Sequence, residues 1–295
     1  METKAGTIVV GVDGSEGSAR ALAWAIEQAV AEHRPLTLVH AIHAVTPAYV
    51  DAAIVDPADA SSTLTDAGRK VLSTAHAKVE AVAPDLEVHE VLDFIDPREL
   101  LLEQSRNATM VVLGSRGLGK VRSVLLGSVG LALVRHTHSP VVVHRPGNRG
   151  TVRNGVVVGV ETSEESQPVL EFAYREASLR GLPLTVLHCY WDIQAGTAAG
   201  GLVYDSIADM ESEWLELAET MAGMSEKYPD VSVTTRMARG LPHETLVQLG
   251  ERMNLVVVGA HQANRLSQMV TGSVSVALVE HATCPVAVVP VSTRR

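Results

Sequence analysis

The sequence predicts an α/β protein made of two tandem copies of a doubly wound, five-stranded parallel sheet sandwich. One observation is that apolar runs of strand length alternate with segments whose apolar residues recur at helical spacing. Another is an internal repeat: VVGVDGS at residues 9–15 returns as VVGVETS at 157–163, and residues 127–143 return at 272–288 with ten of seventeen residues unchanged. A chain of 295 residues has room for two domains of this kind.

The elements of the first copy can be followed from its amino end. Residues 7–12 form a continuous apolar run of strand length, as expected for a strand that is buried on both faces of a sheet. Ser15 and Ser18 have side chains that cap helices, and the helix is expected to continue to about His33. Residues 35–42 are predicted to be the second strand.

The second half of the first copy continues the alternation. A long helix is predicted from about residue 64 to 82, and Pro97 suits the first turn of a shorter one. Strands joined by helical crossovers run parallel with right-handed connections, which gives a Rossmann-like sheet with helices on both faces. The remaining elements are predicted as strands at 86–92, 110–114 and 140–145 and as helices at 97–105 and 127–136.

The repeat also sets the domain boundaries and the context of the cysteines. We predict a first domain at residues 1–147 and a second at 152–295, joined by a segment rich in Gly, Pro and Arg at 145–154. Cys189 and Cys284 fall at strand-like segments and form no motif. They are predicted to be buried free thiols of a protein from a reducing compartment.

Charge and hydropathy exclude several classes of protein. The formal net charge of −10 argues against a general nucleic-acid binder, because affinity for the phosphate backbone needs a basic surface. The uncharged apolar run at 123–134 is too short to span a bilayer, which takes about 20 residues. The amino end lacks the apolar stretch of a signal peptide. We therefore expect a cytoplasmic protein that binds neither membranes nor nucleic acid.

The candidate ligand site lies where two strands of the first copy end. In doubly wound sheets, ligands bind beyond the carboxyl ends of the strands, at the point where the strand order reverses. Glycines let backbone amides approach an anion, and the start of a helix offers free N–H groups. Each glycine taken alone is also explained as a turn residue, so the prediction depends on the combination. The combination is Asp13, Gly14 and Ser15 after the first strand, Gly114 to Gly117 after the fourth, the cations Arg116, Lys120 and Arg122, and Gly127-Ser128 at a helix start.

At this point the sequence resembles the ATP-binding type of universal stress protein. The resemblance is carried by VVGVDGS at residues 9–15 and by the spacing G-x-x-G, nine residues, G-S, formed by Gly114, Gly117, Gly127 and Ser128. The tandem arrangement is similar to that of actinobacterial two-domain members. The family fold is that of the adenine nucleotide alpha hydrolases.

The resemblance implies a ligand and a set of contacts. The ligand would be ATP, with or without Mg²⁺, and its adenine would lie near Asp13 and the backbone of His40 and Ala41. The two copies would pair with each other through their last strands, at residues 140–145 and 285–290. The implied ligand contacts in the first copy are Asp13, Gly14, Ser15, His40, Ala41, Gly114, Arg116, Gly117, Gly127, Ser128 and Val129.

The second copy departs from this pattern. Glu161 stands in place of Asp13 and has a longer side chain, and Gln262 replaces the second glycine of the motif. Its loop keeps one cation, Arg265, against three in the first copy. We expect this site to be weaker or empty, with two occupied sites as the alternative. Its candidate residues are Glu161, His188, Gly259, Gly272 and Ser273.

Several other kinds of chemistry find no support in the sequence. The chain has no P-loop, no dinucleotide fingerprint after either first strand and no nucleophile elbow. His136 and His138 are two residues apart and do not share a helical face, so no metal-ligating residue is assigned. No catalytic residue is assigned either.

The favoured function is a nucleotide-dependent regulatory module in a stress response. The alternatives are a slow ATPase or nucleotide-dependent transferase, and an interaction scaffold that binds no nucleotide. A homodimer of whole chains and a protein partner stay open.

Overall fold

The computed structural model of the chain divides into two compact units, Met1–His144 and Arg145–Arg295. Residues 146–153 fall outside the part described, so the predicted domain boundaries at 147 and 152 stay predictions. The residues that the structure describes are 5–42, 57–115, 117, 126–145, 154–190, 211–261 and 274–291.

In the first unit, strands and helices alternate as the sequence predicts. Its elements in chain order are β1 (Ile8–Gly11), α1 (Glu16–Glu32), β2 (Leu36–Ala41), α2 (Pro57–Val82), β3 (Val88–Asp93), α3 (Pro97–Gln104), β4 (Met110–Gly114), α4 (Ser128–His136) and β5 (Val141–His144).

The second unit has the same succession with small additions. A short 3₁₀ turn at Glu164–Ser166 precedes its first α-helix. The elements are β6 (Val156–Val160), α5 (Gln167–Arg180), β7 (Leu184–Tyr190), α6 (Glu211–Thr220), α7 (Met224–Lys227), β8 (Val233–Arg239), α8 (Pro242–Gly250), β9 (Leu255–His261), α9 (Val274–His281) and β10 (Val286–Val291).

Both units contain five parallel strands in the doubly wound order. In the first unit the order is β3-β2-β1-β4-β5, with Ile8 opposite both Leu36 and Met110. In the second unit it is β8-β7-β6-β9-β10, with Val156 opposite Leu184 and Leu255. The chain builds outward on one side of the first strand and then crosses to the other side. The predicted fold class is confirmed in both units.

The central strands are buried because helices cover both of their faces. Ile8, Val9 and Val10 of β1 have no exposed surface, and neither do Val111 and Val112 of β4. Continuous β-branched runs suit such positions, since neither face of the strand meets water. Each unit therefore forms its core around the two strands that flank the point where the strand order reverses.

Helix α1 has the ends that its sequence predicts. Ser15 is the N-cap, and its hydroxyl accepts a hydrogen bond from the Ser18 amide at 3.1 Å. The helix ends at His33, which has the left-handed conformation with φ of 53°. Its amide donates to the Ala29 and Val30 carbonyls and so satisfies the last turn.

Two details differ from the sequence-based expectations. Helix α2 begins at Pro57 rather than near residue 64. Proline fits this first turn because its missing N–H would have no partner within the helix. Cys284 lies in the turn before β10 rather than in a strand, whereas Cys189 lies in β7 as expected.

Among the described residues, no helix combines the length and apolar character needed to cross a membrane.

Both cysteines are free thiols. Cys284 has no exposed surface. Cys189 keeps some exposure, yet burial raises the pKa of its thiol to about 11. At pH 8 a thiol with this pKa is thiolate in about one molecule in a thousand, against about a quarter for an unperturbed thiol.

We therefore predict that neither thiol of the native protein reacts with Ellman's reagent at pH 8 while a small-molecule thiol is consumed. Denaturation should release two reactive thiols per chain. The native labelling rate should rise about tenfold per pH unit between pH 8 and 10. One thiol that reacts rapidly at pH 8 in the folded protein would contradict the burial of Cys189.

Candidate functional site

The candidate site of the first unit lies where β1 and β4 end side by side. These strands are neighbours in the sheet, and the chain turns to opposite sides of the sheet after them. Asp13 follows β1, and Gly114 is the last residue of β4. The structure therefore brings together the two ends that the sequence singled out, at the position where doubly wound sheets bind ligands.

A tight turn holds Asp13 in place. Its Oδ1 accepts the Ser15 amide at 3.0 Å, and its own amide donates to the Ser18 hydroxyl at 3.4 Å. Gly14 lies between Asp13 and Ser15 with φ of 81°, which favours glycine over residues with a Cβ. The Asp13 carboxylate is half-buried and has its direction fixed by the backbone that follows it.

Gly117 lies against the other oxygen of the same carboxylate. A Cβ added at Gly117 would overlap Asp13 Oδ2. The carboxylate is not free to swing away without losing the bond from Oδ1 to the Ser15 amide. Glycine at 117 is therefore required by close approach, and the loop after β4 meets the turn after β1 at this point.

Gly114 has a structural reason for its missing side chain. An added Cβ would lie 2.5 Å from the carbonyl carbon of Gly17 and 2.9 Å from the Ser18 amide nitrogen. The first turn of α1 thus packs directly on the end of β4, backbone against backbone. Gly114 positions the site through this contact, and its predicted contact with a ligand stays a prediction.

For Gly127, the described residues give no packing reason for the missing side chain. It is the N-cap of α4, with φ of −67° and ψ of 157°, values that any residue adopts. Among the described residues, the group nearest to an added Cβ would be the Ser115 carbonyl oxygen, at 3.9 Å. It offers no side chain to cap the helix, so the N–H groups that begin α4 at Ser128 and Val129 receive no cap from it.

Ser115 explains how the two parts of the glycine motif come together. Its carbonyl accepts the Gly127 amide at 3.2 Å, and its own amide donates to the His144 carbonyl at 3.1 Å. Ser115 is 4% exposed. The chain that leaves β4 and the chain that enters α4 are therefore hydrogen-bonded to each other, and the loop between them is closed at its base.

His40 and Ala41 end β2, next to β1. His40 Nδ1 donates to the Val12 carbonyl at 2.7 Å. Three predicted cations, Arg116, Lys120 and Arg122, lie outside the described residues.

Comparison with known proteins assigns the family. The sequence pattern of the universal stress protein family matches residues 4–145 and again residues 153–290. The chain belongs to the universal stress protein family. A universal stress protein of Mycobacterium tuberculosis is 36% identical over 291 residues, which cover 95% of this chain and 96% of the relative. One from Mycolicibacterium smegmatis is 31% identical over 297 residues, which cover 96% of each chain.

Solved structures show the same fold. A universal stress protein from Archaeoglobus fulgidus superposes with a TM-score of 0.69 at 19% identity, over 98% of this chain and 97% of that one. A protein of Pseudomonas aeruginosa gives a TM-score of 0.63 at 13% identity, over 97% and 94% of the two chains. The tandem arrangement that the repeat predicted is confirmed.

The corresponding place in the second unit of this universal stress protein has another turn. Thr162 stands where Gly14 does, and its φ is not positive. The Ser163 amide donates to the backbone carbonyl of Glu161 at 2.9 Å, whereas the matching amide in the first unit is bound by a carboxylate. The Glu161 side chain is exposed. The turn that fixes Asp13 in the first unit is therefore missing here.

Other parts of the second site repeat the first. His188 Nδ1 bonds the Val160 carbonyl at 2.9 Å, as His40 does at the matching position. Gly259 packs against Val291 and Val169, whose methyl carbons would lie 2.9 Å and 3.2 Å from an added Cβ. The remaining residues of the prediction, Gly272, Ser273, Gln262 and Arg265, lie outside the described residues. In the described ranges, no group of three His, Cys, Asp or Glu side chains converges as a metal site would require.

Sequence reasoning missed Gly17 and gave Ser115 no role of its own. Gly17 could have been found, because glycine within a helix costs about 1 kcal/mol relative to alanine and therefore indicates a packing constraint. Ser115 carries no signal in a single sequence, since its contribution comes from its backbone groups.

Gly114 and Gly127 support a matched test of stability. Gly114→Ser should lower the free energy of unfolding by about 1–3 kcal/mol, because its Cβ meets the backbone of α1. Gly127→Ser should keep or raise stability by a few tenths of a kcal/mol, because serine is a good N-cap and its Cβ meets no described residue closer than 3.9 Å. Urea denaturation of both variants measures the difference. Equal losses in the two would contradict the packing described for Gly114.

Proposed function

We propose that the first unit of this universal stress protein binds ATP and that occupancy of the site regulates the protein. The observation that carries the proposal is Gly127. Neither its backbone angles nor the described residues around it require glycine, and it gives the nine-residue helix α4 no side-chain cap. Free N–H groups at a helix start favour an anion, and a missing side chain lets a phosphate approach them.

The surrounding residues suit the other parts of a nucleotide. The carboxylate of Asp13, fixed by the Ser15 amide, can accept from hydroxyl or amine groups of the nucleoside. The neighbouring end of β2 carries His40 and Ala41, close enough to bond the chain after β1. Mg²⁺ would accompany the phosphates, since it is held mainly through phosphate oxygens and a few protein groups.

We propose that the second unit binds ATP more weakly or not at all. In the turn around Glu161 the Ser163 amide donates to a backbone carbonyl, and Thr162 has no positive φ like that of Gly14 in the first unit. We also propose a cytoplasmic location, which follows from the charge and hydropathy of the sequence. The resemblance to ATP-binding members of the family leads us to propose that the last strands pair and that the protein regulates a partner.

The number of nucleotides carried by the purified protein is the first test. Denaturation of freshly purified protein should release about one ATP per chain, because only the first unit has the complete turn. Ion-exchange chromatography of the released nucleotides measures both identity and amount. Two ATP per chain would refute the weak second site, and no release followed by no binding of added Mg-ATP would refute the proposal. ADP in place of ATP would indicate hydrolysis.

Substitutions at the site should weaken binding without unfolding the protein. Gly127→Ser should lower the affinity for ATP at least about tenfold, because a serine hydroxyl caps the N–H groups that phosphate would bind. Gly117→Gln and Asp13→Glu should act in the same direction. Calorimetric titration measures the affinity, and the exchanges Gln262→Gly and Glu161→Asp in the second unit are the controls for the first site. Unchanged affinity in all three variants would overturn the site assignment.

A further inference from the structure

Helix α2 extends beyond the carboxyl end of the sheet in the first unit. His76 of this helix bonds Glu90 of β3 at 2.6 Å. About two turns earlier in α2, a Cβ added at Gly68 would lie 2.8 Å from Leu92, which comes two residues later in β3. The helix and the strand therefore run in opposite directions. The residues of α2 before Gly68 lie past the strand ends, at the edge of the sheet where doubly wound folds bind ligands.

Two large apolar side chains are exposed at this edge. Leu64 lies one turn before Gly68 on the same face of α2 and is 41% exposed, and Phe94 directly follows β3 and is 51% exposed. The Phe94 amide donates to the Asp93 carboxylate at 2.6 Å. Leu64 is about 6 Å of helix beyond Gly68, and Phe94 is about 7 Å of chain beyond Leu92. The two residues are therefore at a similar height above the end of the sheet.

The same face of α2 also reaches the turn that holds Asp13. Val71 follows Gly68 by one turn, and its Cγ2 would lie 3.9 Å from a Cβ added at Gly14. Ile42, just after β2, would lie 3.0 Å from the Cβ added at Gly68. Apolar groups thus extend from the Asp13 turn across the ends of β1, β2 and β3. We call them the apolar wall, which consists of Ile42, Leu64, Val71 and Phe94.

The strand order places the apolar wall within the proposed ATP site. The order is β3-β2-β1-β4, and α4, whose start is the proposed phosphate site, follows β4. Asp13 follows β1, between α4 and the wall. Neighbouring strands lie about 4.8 Å apart, so the end of β3 is about 10 Å from the end of β1, on the side away from β4. A nucleotide with its phosphates at α4 and its ribose at Asp13 would therefore bring its base to the wall.

In the second unit a charged side chain takes the place of Phe94. Arg239 stands three residues before Pro242, which begins α8, just as Phe94 stands three residues before Pro97, which begins α3. A substitution at residue 94 therefore changes the first unit and leaves the corresponding place in the second unit as it is.

We infer that the apolar wall of the first unit receives the base of the nucleotide, with the ring of Phe94 stacked on it. An aromatic side chain raises the affinity for a stacked base by about 10- to 100-fold, whichever base it is, because every base has a flat π-face. Phe94 would thus make the site prefer nucleotides to bare polyphosphates. The inference rests on the proposed ATP site of the first unit and adds a residue that the glycine motif does not include.

Substitutions at Phe94 test the inference with a base-free ligand as the comparison. Phe94→Ala removes the ring, and Phe94→Trp keeps an aromatic face. Val82→Ala is the control, because Val82 is 70% exposed at the opposite end of α2. Wild type and the three variants are titrated calorimetrically with Mg-ATP and with magnesium tripolyphosphate, and thermal unfolding checks that each is folded.

Phe94→Ala should lower the affinity for ATP at least about tenfold and leave the affinity for tripolyphosphate unchanged. Phe94→Trp and Val82→Ala should bind ATP as wild type does. If tripolyphosphate binds to none of the four proteins, the loss in Phe94→Ala and its restoration in Phe94→Trp decide the matter.

The contrary outcomes separate the inference from the proposed function. ATP affinity that is unchanged in Phe94→Ala, or lowered equally in Phe94→Ala and Phe94→Trp, would overturn the inference and leave the proposed ATP site standing. An equal loss of ATP and tripolyphosphate affinity in Phe94→Ala would do the same, since it would show no contact with the base. Wild type that binds no ATP would refute the proposed function itself.

Discussion

The close approach of two backbone segments, Gly17 of α1 and Gly114 of β4, is the constraint on which the candidate site depends. It brings the first turn of α1 onto the end of the strand next to β1. That contact sets the position of Ser15, which caps the helix, and of Asp13, whose carboxylate is bound by the Ser15 amide. A shift of either backbone segment would therefore move both residues, because a protein interior is packed at the density of a crystal.

The fold was largely predictable because it depends on local patterns. Continuous β-branched runs, the Ser15 cap and Pro97 at a helix start are properties of single segments, and the repeat supplied the second unit from the first. The start of α2 at Pro57 was not predicted, because the residues between 57 and 64 show no clear apolar spacing. Helix ends that depend on tertiary packing are set by contacts that a single sequence does not display.

The site was predictable in membership but not in the role of each member. The sequence indicated that Gly114, Gly117 and Gly127 belong together, and the structure separates them. Gly114 is needed by helix packing, Gly117 by the Asp13 carboxylate, and Gly127 by neither. These differences depend on what lies opposite each Cα across the fold. A motif gives spacing along the chain, whereas the reasons for Gly114 and Gly117 lie in Gly17 and Asp13, about 100 positions away.

The turn after the first strand of each unit has a consequence for how the two halves of the gene can diverge. The carboxylate–amide ring of the first unit needs the short side chain of Asp13 and the positive φ of Gly14 together. In the second unit, glycine at 162 without aspartate at 161 would add conformational entropy to the unfolded chain and would form no ring. Aspartate at 161 alone would be followed by Thr162, which resists the required positive φ. Neither single substitution would rebuild the ring, so the second unit would need both changes together to acquire the turn of the first.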